Sequence, residues 1–130
     1  VYSRAMSKYN SVKRRNEGIL SRYKRQKDTP APPVTVHAVA LGDIAFATNK
    51  FELYQDYMHR VQARSPFIQT FLVQLAGDGG GSYLATERSQ QNKGYGASLY
   101  CNWIGFEGGQ QWVESVLENL NEMKQQLDES

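Results

Sequence analysis

Residues 34–52, VTVHAVALGDIAFATNKFE, constrain the fold more than any other stretch. Val34, Val36, Ala38 and Ala40 alternate with Thr35, His37 and Val39, the period of a strand with one face in a core. Gly42-Asp43 supplies a turn, and residues 43–48 read as a second strand. The spacing of Phe51, Tyr54, Tyr57, Met58 and Val61 then predicts a helix over 52–64 that opens on Glu52. A carboxylate at such a junction can be displayed into a pocket at the sheet's end. It can equally be a first-turn acid that suits the helix dipole.

The short apolar run 70–75, TFLVQL, follows the break at Ser65-Pro66 and predicts a core strand. Strand, helix, strand implies a crossover onto a parallel neighbour, which puts two strand ends on one edge. The glycine run 77–81 has no GKS/T ending and no GxGxxG spacing, so it reads as a flexible turn and not a phosphate loop. Residues 82–101 read as a polar loop punctuated by Tyr83, Tyr95 and Tyr100, with Gly94 and Gly96 around Tyr95. Trp103, Ile104 and Phe106 are expected to anchor its end. Trp112, Val113, Val116, Leu117, Leu120, Met123 and Leu127 then make a clean helical stripe, predicting a core-covering helix from about Glu107 or Gln110 to Leu127. The expected class is α/β, a small mixed sheet with covering helices.

Charge divides the chain. Nine Lys/Arg against Glu17 alone leave residues 1–27 at +8, whereas six against twelve acids leave residues 28–130 at −6. The first segment has tyrosines and aliphatics at helical intervals and reads as a basic amphipathic arm. Residues 28–33, DTPAPP, cannot continue a helix and form the expected connector to the body at 34–130. The plain reading is a peripheral helix with solvated basic residues; contact with an anionic surface, either the acidic body or an external partner, comes next, and membrane-surface adsorption last. Nucleic acid is disfavoured, because no recognition motif accompanies the basic residues. No apolar run is long enough for a membrane span.

Catalytic signatures are sparse. His37 and His59 belong to no metal-ligand spacing, the serines have no GxSxG setting, and Cys101 is the single cysteine. What remains is one carboxylate, Glu52, and tyrosines beside glycine-rich loops.

The segments VHAVALGDIAFATNKFELY, ARSPFIQTFLVQLAG, GSYLATER, KGYGAS and FEGGQQWVE, taken in order, resemble the C-terminal part of the catalytic domain of the neutral/alkaline non-lysosomal ceramidases. Those enzymes are zinc-dependent amidases acting on the N-acyl bond of ceramide, and the bacterial short forms are the most similar. The resemblance implies Glu52 and Tyr83 as zinc ligands and Tyr95 as a catalytic hydrogen-bond donor. It also implies that the chain corresponds to the last quarter of such an enzyme, with a lipid amide as substrate. The two zinc-binding histidines and the site serine of the family lie on upstream segments with no counterpart here. Lys50 and Phe51 replace the usual proline and glycine before the glutamate, and Ala85 replaces the proline after the tyrosine. The implied partner is therefore an upstream catalytic fragment or a second copy. The compartment stays open, and a secreted or periplasmic parent is compatible with it. The basic arm has no counterpart in the resemblance. The rival reading is a non-enzymatic interaction module that works through this arm.

Overall fold

A computed structural model describes residues 2–30, 33–77 and 82–130. The connector residues Ala31 and Pro32, and the expected glycine turn from Asp78 to Gly81, lie outside the described residues. The chain divides into two compact units, Val1–Pro33 and Val34–Ser130.

In the first unit, α1 (Tyr2–Arg25) carries Arg22, Lys24 and Arg25 in its last turn, where cations complement the helix dipole. No side chain of α1 is buried.

The second unit is α/β. Strands β1 (Ala38–Leu41) and β2 (Ile44–Thr48) form a hairpin, with Gly42 at φ +57° in the turn, a conformation that costs glycine little. β3 (Glu52–Leu53) and α2 (Gln55–Arg64) lead to β4 (Gln69–Val73), which pairs in parallel with β2 from Ile44↔Gln69 to Thr48↔Val73. The sheet order is therefore β1-β2-β4, mixed as expected. β5 (Tyr83–Leu84) pairs in parallel with β3, making a second, two-stranded sheet. The short α3 (Glu87–Gln91), a 3-10 turn (Tyr95–Ala97) and α4 (Gly105–Asp128) complete the unit.

The core lies between the inner face of the larger sheet and the helices α2 and α4. Ala45 and Ala47 of β2 are fully buried, and their small side chains leave room for a helix layer. Trp112, Val113, Val116, Leu117 and Leu120 of α4 pack there with Tyr57 and Val61 of α2. Burying one such aliphatic side chain contributes about 1.5–3 kcal/mol, so this face of α4 is a large part of the unit's hydrophobic stabilisation. Leu127, expected in the same stripe, is exposed beyond the core's edge.

Three further expectations are corrected. Glu52 is not a helix opener. Its N–H donates to Ser82 O (3.1 Å) and the Tyr54 N–H to Leu84 O (3.3 Å), so pairing with β5 holds 52–53 extended and delays the helix to Gln55. The first strand is shorter than 34–40. Residues 34–37 lack ladder pairing, although His37 is tied to Thr48 through its N–H to Oγ1 (3.0 Å) and its carbonyl to the Thr48 N–H (2.9 Å). The run at 70–75 is an edge strand and not a core strand: Thr70 is buried, but Phe71 and Val73 point to the outer face. There Phe71 stacks on Phe46 with ring centroids 5.1 Å apart, and Val39 and Leu41 are also exposed.

Asn49, fully buried at the exit of β2, splices the two sheets. Its N–H donates to Val73 O (2.9 Å), its carbonyl accepts from the Ala76 N–H (2.9 Å), and its Oδ1 accepts from the Phe51 N–H (2.9 Å). Asn49→Ala leaves the buried Phe51 N–H without its acceptor and is expected to cost about 1–3 kcal/mol, read as a lower midpoint in urea at unchanged slope.

Candidate functional site

The site is built on the two-stranded sheet. Parallel register sets Glu52 beside Tyr83, and a second parallel bridge joins Tyr83 to Asn102 on its other side. The Tyr83 N–H donates to Cys101 O (3.0 Å), so its backbone is clamped between β3 and the segment that leads into α4. That segment is fixed in turn. Asn102 Oδ1 accepts from the Ile104 N–H (3.2 Å) and the Gly105 N–H (2.9 Å), and Ser82 Oγ accepts from the Trp103 N–H (3.1 Å).

A hydrogen bond with Glu52 pushes the Tyr83 phenol up to about 12, helped by desolvation and by the negative field of Glu52. A carboxylate accepts from a phenol and repels a phenolate, so both effects hold the proton on Tyr83. Rings extend the site. Tyr54 and Tyr95 each meet Tyr83 edge-on, with centroids 6.4 and 5.8 Å away, and Tyr95 meets Tyr100 at 5.9 Å. Ser89 Oγ of α3 donates to Tyr54 Oη (3.1 Å). The glycine after Tyr95 has a steric reason. A Cβ on Gly96 would lie 2.7 Å from Tyr54 Oη and 2.9 Å from Tyr83 Cδ1, so only glycine lets this turn rest on both rings. Tyr95 itself is 60% exposed.

The structure thus brings Glu52, Tyr83 and Tyr95 together, although 31 and 12 residues separate them in sequence. It does not bring either histidine to them. His37 lies exposed on the strand side of the hairpin and His59 is exposed on α2. Among the described residues, no group of three or more His, Cys, Asp and Glu could hold a metal. Carboxylate and phenol oxygens suit zinc in kind, but two of them fall short of the three protein ligands even an open zinc site uses. Trp103, expected as an anchor, is 58% exposed. Sequence reasoning did not single out Tyr54, Ser89 and Asn102. The last carried one readable signal, an Asn two and three residues before backbone N–H groups at a helix start.

No protein-family profile, characterised protein or solved structure matches this chain. No helix among the described residues is long and apolar enough to cross a membrane.

Proposed function

We propose that this chain contributes part of the active site of a zinc-dependent amidase resembling the neutral ceramidases, acting on the N-acyl bond of a ceramide-like lipid. The observation that supports this reading is the pairing of Glu52 with Tyr83 under the edge of Tyr95. Glu52 and Tyr83 would be the two oxygen ligands, and a separate segment bearing imidazoles would complete the set. Zinc, when bound, would supply Lewis acidity toward the amide carbonyl. Tyr95 would donate a hydrogen bond to the oxygen that gains negative charge. Tyr54, braced by Ser89, and Gly96, seated on both rings, position Tyr83.

Alone, the chain is expected to bind zinc weakly and to turn over an N-acyl sphingoid base slowly or not at all, because amide cleavage needs all its groups held at once. Zinc titration by calorimetry checks the ligand assignment. Glu52→Ala and Tyr83→Phe should each abolish the weak binding. Unaltered zinc binding in both variants, or turnover that survives Glu52→Ala, would overturn it.

A second reading, a protein-interaction module with nucleic-acid binding as a lesser branch, is favoured by one observation. The basic helix α1 belongs to its own unit and buries no side chain.

A further inference from the structure

The apolar positions of α1 fall on a heptad. Tyr2, Tyr9, Asn16 and Tyr23 recur every seven residues, and Ala5, Val12 and Ile19 recur three residues after the first three of them. This is the a and d pattern of a coiled-coil seam sustained over the helix, with a single asparagine at one a position. Tyr2, Tyr9, Val12 and Tyr23 of this seam are exposed, and Ile19 is half-buried. Gly18 falls at an outward c position, where it leaves the seam continuous.

The flanks say what the mate is. The g positions are Lys8, Arg15 and Arg22, all cationic. The e positions within the helix are Met6, Lys13 and Leu20, one cation, ion-paired with Glu17 (3.8 Å), between two apolar side chains. Pairing α1 with its own copy in parallel would set Lys8 against Lys13 of the other helix. Antiparallel pairing would oppose the g cations to one another. Both arrangements juxtapose like charges along the seam. Carboxylates in the same places would attract. A flat anionic surface would meet the charge but would leave the heptad and Asn16 without a role.

We propose that α1 is one strand of a heterotypic coiled coil whose partner is an acidic amphipathic helix. That partner carries apolar a and d residues, carboxylates facing Lys8, Arg15 and Arg22, and a polar residue opposite Asn16. The seam provides the contact area, the cationic flank selects an acidic mate over a second copy, and Asn16 fixes the register. This inference deepens the interaction-module reading and is independent of the zinc donors Glu52 and Tyr83.

The test uses the full chain and a synthetic peptide of about four heptads with Ile and Leu in the seam, Glu on both flanks and one seam Asn. Calorimetry and circular dichroism should show one-to-one binding with a gain in helix, weakening as salt is raised. A peptide of the same composition in scrambled order should not bind. Moving the peptide's Asn by one heptad should weaken binding about tenfold or more, because each Asn then faces an apolar residue. Ile19→Ser, in the seam of α1, should weaken it by about tenfold or more. Equal binding to the scrambled peptide, indifference to the position of the Asn, or a homodimer in sedimentation that Ile19→Asp dissolves would each overturn the proposal. Glu52→Ala should leave this binding unchanged, so the two proposals fail separately.

Discussion

Gly109→Ala is expected to destabilise the second unit by about 2 kcal/mol despite adding a better helix former, the overpacking penalty exceeding the roughly 1 kcal/mol propensity gain. Gly109 is buried on the inner face of α4, and a Cβ there would lie 2.7 Å from Cε1 of Tyr57 and closer still to its Cζ and Oη. Tyr57 has nowhere to go. It is 2% exposed, its Oη donates to Ala85 O (3.0 Å), and burial pushes its phenol up, so that bond persists with pH. The glycine therefore sets how closely α4 approaches α2. For a unit of this size the loss corresponds to roughly 10 °C in the thermal midpoint. Tyr57→Phe alone should cost about 1 kcal/mol for its hydrogen bond. Combining the two should cost less than their sum, because removing Oη clears part of the collision. Calorimetric or optical melts of the three variants check this. A strictly additive double variant would place the strain elsewhere.

How the sequence could be read follows from the length scale of each signal. The stripe on α4 repeats over many turns, so its inward face was legible from Trp112 to Leu120. Its start was not, since Asn102 extends the helix back to Gly105 by accepting from two N–H groups before the stripe begins. The hairpin and the parallel return to β4 were legible from the change of period and the Gly42 turn. Which strand sits at the edge was not, because Phe71 and Val73 are as apolar as any core residue and nothing local states that their face is uncovered.

The candidate site lies at the limit of such reading. A two-residue strand such as β3 has no periodicity, and it exists because β5, thirty residues on, supplies its partners. The helical spacing after Phe51 therefore pulled Glu52 into a helix on sequence alone. α3 was missed for a like reason: five residues carry no stripe, and the one local cue is Thr86, whose Oγ1 accepts from the Ser89 N–H (3.2 Å). The nearness of Glu52 and Tyr83 was expected from strand ends meeting on one edge and from the ceramidase resemblance. The supports behind them, Tyr54, Ser89 and Asn102, come from three separate segments whose association no spacing records.

Glu52→Ala is expected to bring the Tyr83 phenol down from about 12 toward the ordinary value near 10. The hydrogen bond with Glu52 is the largest cause of the shift, with desolvation and the Glu52 charge behind it, so one substitution removes the first and third together. A phenol raised in the folded state binds its proton more tightly there than in the unfolded chain. Its contribution to stability is complete below about pH 10 and is lost as pH rises through about 12; the variant, with its folded value close to the unfolded one, should lack most of that contribution at any pH. With eight tyrosines in the chain, a bulk absorbance titration would not resolve one of them. Carbon-13 labelling at Cζ, assigned with Tyr83→Phe, isolates it. Zinc adds a second readout. A cation shared by Glu52 and Tyr83 would favour the phenolate that Glu52 alone opposes, so saturating zinc should lower the Tyr83 midpoint in the wild-type chain and leave it unmoved in Glu52→Ala. A midpoint that stays near 12 without Glu52 would mean that burial, and not the carboxylate, holds the proton. A midpoint indifferent to zinc in the wild-type chain would remove Tyr83 from the ligand set while leaving its hydrogen bond to Glu52 in place.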